Sequence, residues 1–528
     1  MRKLVLILLC AVAVFALGGC GPAERTDTVR YVLEAEPASL DPAMTTALPE
    51  NIVELQLFEG LTRLDDQDVP QPALAERWDV SADGLTYTFY LRPGLHWSDG
   101  VPLTASDFEY AWKRALDPDV ASENAYMMFP LVNGEAYFNR QVDAAAVGVH
   151  AVDDRTLIVK LAAPTAYFLS LTAFHSYYAV PRHVVEKAPQ TWASGNMPIV
   201  GSGPYTISKW IHASEIDFVK NETYWDAASV TLPQLEFPIS DSQATRLTLV
   251  ESGQADMMVE PPPADETRLE EAGLYHVAPY LGSYYYVFNV TAKPFDDVRV
   301  RKAFALAVRR RALIANVVRS RKQPAYAWVP PGLVDPATGV DFRTAGGTVL
   351  QPEDAAAAKA LLQQAGYDDG SKLPDIRILF NTSEMHKAIA EALQAMWHDE
   401  LGVTVGLVNQ EAKVFMASRS SGDFQIARAS WVADYADPMT FLSVFADAEN
   451  DAQYHNERYT ELIHAAQQTN DAVLRMKLMH EAENILFDDC VIIPIYYTTQ
   501  PFVAQPYVKG YRWSSLGLVD FKRAYIEK

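Results

Sequence analysis

The stretch IRILFNTSEMHKAIAEALQAMWHDELGVTVGL, residues 376–407, contains an apolar run, a helical pattern and an alternating apolar run in direct succession. Ser383 is a typical helix N-cap, and Gly402 is a typical helix stop. Two strands joined through a helix by short connections are typical of a βαβ unit, whose strands pair in parallel. The stretch therefore predicts an α/β fold with a partly parallel sheet in the C-terminal half of the chain.

The flanking segments continue this succession of helices and strands. Pro352 is predicted to begin a helix that Gly366 stops, and residues 474–486 form a helical pattern that leads into the apolar run 491–497. The N-terminal half is richer in strands, since residues 28–33 alternate in polarity before a turn. Further predicted elements are the helix at Ile52, Leu55 and Phe58, the strand face of Tyr87, Phe89 and Leu91, the turn Asp99-Gly100 and the helix that starts at Thr104.

Length and charge limit the classes of protein that this chain can represent. It has 528 residues, of which 49% are hydrophobic, and this exceeds what one hydrophobic core normally supports. We therefore expect two or three lobes, packed together because no low-complexity linker or tandem repeat separates them. The net charge of −23 would repel the phosphates of nucleic acids.

The N-terminus has the pattern of an export signal. Met1-Arg2-Lys3 is positively charged, residues 4–17 are almost entirely apolar, and Gly18-Gly19-Cys20 follows. The apolar run is shorter than the roughly 20 residues of a membrane span, although a short membrane anchor is the alternative. Its ending resembles the bacterial lipoprotein box, which implies that Cys20 becomes the first mature residue and carries a lipid.

The cysteines and histidines indicate neither a disulfide nor a metal site. Cys10 would leave with the signal and Cys20 would carry lipid, so Cys490 remains without a disulfide partner. Its apolar surroundings predict an ordinary buried thiol. The eleven histidines are scattered without the spacing of metal ligands, so we expect no metal and no cofactor.

The motifs of common enzyme classes are missing from the sequence. His480-Glu481 lacks the second histidine of a zinc protease helix, and Gly201-Ser202-Gly203 lacks the spacing of a nucleophile elbow. Paired acids such as Asp65-Asp66 are adjacent, so in an extended segment their side chains would point to opposite faces. The sequence therefore predicts a protein that is not an enzyme.

One segment has the composition of a binding site. In residues 430–438, Asp434 lies between Trp431 and Tyr435, a few residues after Arg428. A carboxylate among large aromatic side chains is desolvated, and a cation is needed to keep it charged at a tolerable cost. That cation is either an ammonium group of a ligand or Arg428 in an internal ion pair, and the residues alone leave both readings open.

Short motifs follow one another in a fixed order along the mature chain: Glu36-Pro37, Leu40-Asp41-Pro42, residues 57–61, Trp97-Ser98-Asp99-Gly100, residues 103–108, Gly203-Pro204-Tyr205, Tyr284-Tyr285-Tyr286, residues 295–301 and residues 431–438. Each motif alone is weak, but their shared order over hundreds of residues is specific. In this order the chain resembles the bacterial oligopeptide-binding proteins, which are extracellular solute-binding proteins of family 5 that serve ABC importers.

The resemblance implies an α/β fold of the periplasmic-binding-protein kind, a type II-like clamp of two lobes that closes by hinge motion. It also implies three structural domains, the first of them discontinuous. The expected organisation is a signal peptide at 1–19, a lipidated tether at 20–27, domain I at 28–58, 185–280 and 501–528, domain II at 59–184, and domain III at 281–500.

The resemblance also implies roles for the aromatic and acidic segment. In this family the aspartate of the Trp-x-x-Asp-Tyr motif pairs with the free α-amino group of the peptide. That position is Asp434 here, and Trp431 is expected beside the ligand. Charge-assisted hydrogen bonding provides independent physical support for such a contact.

Other residues match the family more loosely, and each keeps a structural alternative. Arg419 and Arg428 resemble basic residues near the peptide, but either could instead pair with a neighbouring acid. His386 resembles a contact on the carboxylate side of the peptide, or is a structural helix histidine. Tyr126 and Tyr285 resemble tyrosines that line the cleft, although aromatic residues are often core residues.

Two segments depart from the family pattern. Thr45-Thr46 stands where broad-specificity members can carry an acid, which puts a preference for basic peptide side chains at that position in doubt. The loop at residues 319–323 is more basic than the family requires. It would be either a solvated loop or a carboxylate partner for longer peptides.

Together these features predict a lipid-anchored receptor in the periplasm or on the outer face of the cell envelope. It would bind short peptides with little side-chain selectivity and deliver them to the permease of an ABC importer. It would act as a monomer and touch the membrane only through Cys20. The alternatives are a receptor for dipeptides, murein peptides, a metal chelate or haem, and, from other classes, an envelope peptidase or a peptide-binding chaperone or sensor.

Overall fold

The computed structural model describes residues 27–319, 321–335, 338–367, 372–446 and 449–528. The predicted signal peptide at 1–19, the lipid site Cys20 and the tether up to residue 26 lie outside the described residues, and their assignments stay predictions. Within the described ranges, no helix combines the length and the apolar character that a membrane crossing requires.

The strands are numbered here in chain order. They are β1 (Thr28–Val32), β2 (Thr62–Leu64), β3 (Pro70–Pro72), β4 (Ala75–Val80), β5 (Thr86–Leu91), β6 (Val149–Ala151), β7 (Thr156–Lys160), β8 (Tyr205–Ile211), β9 (Glu215–Lys220), β10 (Gln234–Pro238), β11 (Met257–Val259), β12 (Tyr275–Phe288), β13 (Gln323–Pro324), β14 (Ile376–Asn381), β15 (Val405–Gln410), β16 (Ile426–Val432), β17 (Ile492–Ala504), β18 (Val508–Lys509), β19 (Arg512–Trp513), β20 (Val519–Asp520) and β21 (Tyr525–Ile526).

The helices alternate with these strands. The α-helices are Leu48–Leu57, Ala105–Ala115, Gly134–Phe138, Phe168–Leu171, Arg182–Val185, Gln243–Glu251, Glu266–Glu271, Val298–Leu306, Arg310–Leu313, Phe342–Gly346, Ala355–Gln364, Glu384–Leu401, Ala412–Ser420, Met439–Leu442, Glu457–Gln467 and Ala472–Asp488. Short 3₁₀ turns lie at Ala125–Met128, Ala144–Ala146, His175–Tyr177, Ala227–Ser229 and Ser443–Phe445, and a π-helical turn at Ile314–Val318.

One long sheet connects most of the molecule. Its strand order is β15-β14-β16-β12-β17-β11-β1-β10-β9-β8, with β13 also paired to β17. Strand β14 runs parallel to β15 and β16, and β1 runs parallel to β10 and β11. The predicted α/β class and the partly parallel sheet of the C-terminal half are therefore confirmed. A separate four-stranded sheet has the order β4-β5-β7-β6.

The helix between β14 and β15 begins and ends at the predicted residues. The Ser383 hydroxyl accepts a hydrogen bond from the His386 amide at 3.5 Å, and Gly402 has the left-handed φ of 69° that favours glycine after a helix. The predicted start at Pro352 is wrong. That helix begins at Ala355, because the Asp354 carboxylate accepts from the Ala357 amide at 2.9 Å and supplies a better N-cap three residues later.

Two large hydrophobic cores define two lobes. One core draws its residues from 281–516, and the other from 29–278 together with 502–524. Strands β12 and β17 belong to both lobes, since residues 275–279 pair with 499–503 near β11, and residues 283–287 pair with 492–497 near β16. The molecule is thus an α/β clamp of two lobes joined through an antiparallel strand pair. The predicted domain boundaries stay predictions.

The crossing between the lobes is marked by an irregular strand. The register of β12 on β17 shifts between Pro279 and Ser283. A Cβ atom on Gly282 would lie 2.5 Å from the Thr498 hydroxyl, so glycine permits the close approach of the two strands there. A β-bulge of this kind lets a strand bend between two packed units.

Cys490 is fully buried, as predicted for an ordinary core thiol. Burial raises the pKa of this thiol to about 11, which keeps it protonated and unreactive near neutral pH. In the portion of the chain that the structure describes, no cluster of three or more histidine, cysteine or acidic side chains has the geometry of a metal site.

Candidate ligand-binding site

A cavity of about 680 Å³ lies between the two lobes. One wall comes from residues 126–171, which surround the four-stranded sheet, and the other from residues 431–475, which follow β16. Most of the lining is apolar or aromatic, with a few polar groups, as in typical small-ligand sites. The lining includes Tyr126, Tyr167, Trp431, Asp434, Thr440 and Arg475.

The end of β16 carries Trp431 and Asp434 into this cavity. Strand β16 pairs with β12 as far as Val432, and the Ala433 amide then donates to the Leu281 carbonyl at 2.8 Å. The chain leaves the sheet at the next residue, where the Asp434 amide donates to the Thr440 hydroxyl at 3.1 Å. The position of the Asp434 side chain is therefore fixed by local backbone contacts.

Asp434 is a largely enclosed carboxylate without a counter-charge. The Thr440 hydroxyl lies 3.4 Å from its Oδ2 atom, and the Tyr126 hydroxyl also donates a hydrogen bond to it. Burial raises its pKa from 3.8 to about 6, although both hydrogen bonds act to lower it. Across the described ranges no cation lies within ion-pair distance of Asp434, so the internal pair with Arg428 left open by the sequence is not formed.

The nearby cation of the cavity wall is already neutralised. Arg475 makes a bidentate, buried ion pair with Asp437, with both nitrogen–oxygen distances at 2.8 Å. Its guanidinium also lies 5.8 Å from the ring centre of Tyr167. Arg475 therefore supports the wall but leaves Asp434 without compensation.

The two lobes touch next to Asp434. Tyr167 of one wall stacks on Tyr435 of the other, with ring centres 4.1 Å apart and the ring planes 7° from parallel. A further contact joins the lobes at the rim, where the Asn470 side chain donates to the Asp83 carbonyl at 2.5 Å. Asp434 and Tyr435 are consecutive residues, so the enclosed carboxylate lies next to a contact between the two lobes.

Arg428 lies on the opposite face of β16 from Trp431. Successive side chains of a strand alternate between faces, and the register places Arg428 opposite Tyr286 and Ser430 opposite Tyr284. The Arg428 guanidinium donates to the Ser430 hydroxyl at 3.2 Å and lies 5.2 Å from the ring centre of Tyr284. Its Nε atom is buried and has no acceptor in the described structure.

His386 belongs to the same group of side chains as Arg428. Its Nδ1 atom lies 3.1 Å from the Tyr284 hydroxyl. Burial and the Arg428 charge lower the pKa of His386 to about 4, so the imidazole is neutral near neutral pH. The structure therefore brings Arg428 and His386 together. They lie on the face of β16 opposite to Trp431, which lines the cavity with Asp434.

Two of the predicted contacts favour their structural alternatives. Arg419 pairs with the neighbouring acid Asp451 at 2.7 Å, so its charge is neutralised. Tyr285 is 4% exposed and packs edge-on against Trp328 at 4.6 Å between ring centres, which is a core position. Tyr126, by contrast, lines the cavity and contacts Asp434.

The segments that departed from the family pattern also have specific contacts. Thr45 is buried, and its hydroxyl donates to the Glu54 carboxylate at 3.0 Å. In the basic loop, of which Ser320 lies outside the described residues, Arg321 forms an ion pair with Glu270 across the lobes. Lys322 lies 5.1 Å from the ring centre of Tyr496. The Arg321 side chain is 58% exposed, so its ion pair lies at the protein surface, and both readings of the loop stay predictions.

Sequence reasoning missed Tyr167, Thr440 and Arg475. Thr440 follows Asp434 by six residues, which is beyond the two to four residues of the usual local hydrogen bonds between a hydroxyl and the backbone. The stacking of Tyr167 on Tyr435 joins residues that are hundreds of positions apart, and no local pattern indicates it.

A two-lobed α/β clamp with an uncompensated carboxylate in the cavity between its lobes defines a solute-binding receptor. The match of residues 69–453 to a family model identifies the family more closely. The chain belongs to the bacterial extracellular solute-binding proteins, family 5. The resemblance read from the sequence motifs and the clamp fold are both confirmed.

Relatives of known name cover nearly the whole chain. The dipeptide-binding protein DppE of Bacillus subtilis is 36% identical, with 97% of this chain and 96% of the relative aligned. The periplasmic oligopeptide-binding protein OppA of Escherichia coli is 35% identical over 90% of this chain and 88% of its own. The crystal structure of Haemophilus influenzae OppA in complex with the peptide RPPGFSPFR has a TM-score of 0.78 and 31% identity, covering 96% of this chain and 100% of that one. The first two are named for the binding of dipeptides and oligopeptides, and the third was solved with a peptide bound.

Proposed function

We propose that this chain is an extracytoplasmic lipoprotein that binds short peptides by their free α-amino group and delivers them to the permease of an ABC importer. The observation that carries the proposal is the enclosed Asp434 carboxylate, which has no cation of its own. Relatives named for oligopeptides, dipeptides and murein peptides support peptides as the ligand class.

The α-ammonium group of a peptide would complete the environment of Asp434. It supplies one positive charge and three hydrogen-bond donors, whereas the carboxylate offers acceptors that Tyr126 and Thr440 do not saturate. A charge-assisted hydrogen bond in an enclosed site is stronger than a neutral one. Because this contact reads a feature that all unmodified peptides share, it selects a free N-terminus and not a particular sequence.

The rest of the peptide would be held mainly through its backbone. Strand-like pairing to the protein gives affinity without reading side chains, and hydrated pockets accept side chains of different size. Arg428, with its unsatisfied Nε atom beside Tyr284 and His386, is placed to receive the carboxylate end in one peptide length class. Because these contacts involve the backbone and the two termini of the peptide, the site would show little side-chain selectivity.

Ligand capture would be coupled to closure of the clamp. Tyr435 directly follows Asp434, and its stacking on Tyr167 forms only when the two walls approach. The bulge in β12 supplies a position at which the strand pair can bend. A peptide that neutralises Asp434 would therefore favour the closed arrangement, in which a permease recognises the loaded receptor.

Ligands that copurify with the natively prepared protein test this proposal. Mass spectrometry of the released molecules reports their length and both termini. We expect short peptides with unmodified N-termini. Recovery of N-blocked peptides, or only of non-peptide molecules, would contradict it. Loss of membrane association and of peptide uptake in cells carrying a Cys20→Ala variant would test the anchor and the transport role.

A further inference from the structure

A second pair of acidic side chains lies at the carboxyl ends of two neighbouring strands. Glu34 follows β1 and Glu260 follows β11, and these strands are parallel partners, so both residues lie at the same edge of the sheet. Ligand sites of open parallel sheets lie at such an edge. Both carboxylates help to raise the pKa of Tyr280, the residue in the β12 bulge between the lobes. The pair therefore lies beside the strand pair that joins the two lobes.

Several polar atoms around Glu34 have no hydrogen-bond partner. The Oε2 atom of Glu34 is buried and receives no donor, and the hydroxyl of the fully buried Tyr31 is also unpartnered. The Nε atom of the buried Arg246 has no acceptor either, although its Nη1 atom donates to the carbonyls of Ser240 and Asp241 and its Nη2 atom donates to that of Val259. Buried polar atoms without hydrogen-bond partners are costly and uncommon. Three such atoms around one carboxylate therefore favour a site at which a polar ligand group forms hydrogen bonds.

The two carboxylates oppose each other's ionisation. Arg246 is a positive charge that acts on Glu34, and Lys322 is a positive charge on which Glu260 acts. Burial, and then the charge of Glu260, raise the pKa of Glu34 to about 7. Throughout the described portion of the chain neither carboxylate has an ion-pair partner. A cation bound between the two carboxylates would favour the charged form of Glu34.

Glu260 also acts on the second lobe. Its charge acts to raise the pKa of Lys322 and of Tyr496. Tyr496 stacks on Tyr284 at 4.8 Å, and Tyr284 lies against Arg428 and His386. A peptide that extends from Asp434 towards Tyr284 and Tyr496 would bring one of its side chains towards the two acids.

We propose that Glu34 and Glu260 form a cation subsite that binds one basic side chain of the peptide, so that the receptor prefers ligands carrying lysine or arginine at one position. This inference rests on the proposed peptide-binding function and adds one selective position to an otherwise permissive cleft. The ammonium or guanidinium group would donate to the free Oε2 atom of Glu34 and to Glu260. The Tyr31 hydroxyl would gain a hydrogen-bond partner in the same step.

Isothermal titration with matched peptides tests the subsite. The ligands are tetraalanine and its derivatives in which each position in turn is lysine or norleucine, which has a similar chain without charge. The proteins are the wild type, Glu34→Gln, Glu260→Gln and the control Glu222→Gln. Glu222 follows β9, which is antiparallel to β10, and therefore lies at the opposite end of the sheet from Glu34.

At one peptide position, lysine should bind the wild type at least about tenfold more tightly than norleucine, as expected for a charge-assisted contact. The ratio should fall below about threefold in Glu34→Gln and Glu260→Gln and stay unchanged in Glu222→Gln. Unchanged affinity for tetraalanine would show that the variants fold. A wild type without any lysine preference, or a preference that survives both substitutions, would overturn the subsite while peptide binding stands. Failure of every peptide to bind would overturn the peptide function itself.

Discussion

Replacing Asp434 with asparagine should stabilise the empty protein while weakening the binding of peptides. The folded protein holds this carboxyl at a pKa of about 6 in place of 3.8, because burial penalises its charged form. Each unit of pKa corresponds to about 1.4 kcal/mol, so the charged carboxylate costs the folded state about 3 kcal/mol near neutral pH. Asparagine keeps the shape and the hydrogen-bond acceptor but carries no charge.

The pH dependence of this stability gain follows from the direction of the pKa change. Below pH about 4 the group is protonated in both the folded and the unfolded chain, so the variant gains nothing. The gain appears as pH rises from about 4, and it is complete above about 6, where the carboxylate is charged in both states. Chemical denaturation of the ligand-free proteins at several pH values measures it.

The same substitution removes the charge that a peptide ammonium would use. A hydrogen bond to a charged group contributes about 1.5–3 kcal/mol, so the affinity for a free-amine tripeptide should fall by between about tenfold and about a hundredfold. Asp437→Asn is the matched control, since it removes the partner of Arg475 and should destabilise the protein. Equal stability of Asp434→Asn and wild type at neutral pH, together with unchanged affinity, would refute the reasoning.

Three further changes probe the surroundings of Asp434. Lowering the pH from about 7 to about 5 should weaken peptide binding about tenfold, because Asp434 of the free protein takes up a proton that the ligand must displace. Titration calorimetry measures this change, and a constant affinity would argue against it. Tyr167→Ala should lower affinity by removing the stack on Tyr435, and scattering should show a more open average shape, whereas Tyr167→Phe should behave like the wild type. Arg475→Met should lower the free energy of unfolding by about 3 kcal/mol or more, because it leaves Asp437 buried without a partner. Adding Asp437→Asn to this variant should restore part of the loss, as measured by chemical denaturation.

Local chemistry allowed much of the fold to be predicted. The caps at Ser383 and Gly402 act within one helical turn, so the sequence shows where that helix begins and ends. The start at Pro352 was misplaced because proline and Asp354 are both acceptable helix starts, and the hydrogen bond made by Asp354 decides between them. The pairing of β12 with β17 joins distant segments, which no local pattern indicates.

The candidate site was predictable where one residue carries its own signal. Asp434 was identified because two aromatic neighbours desolvate it, and this signal lies within five residues. Whether Arg419 is a binding or a structural residue depends on its ion pair with Asp451. For Tyr285 the same question depends on its packing against Trp328. Both depend on tertiary packing, so arginine and tyrosine gave the same sequence signal for a binding residue and for a structural one. No local sequence pattern indicates that Glu34 and Glu260 lie near each other, because the pairing of two distant parallel strands brings them together.

Calorimetric titration of the wild-type protein with trialanine and with N-acetyl-trialanine tests the central claim most directly. The two ligands differ only in the charge and donors of the terminal amine that Asp434 is proposed to bind. Trialanine should bind at least about tenfold more tightly, and the difference should disappear in Asp434→Asn. Equal binding of both ligands by the wild type would contradict the account.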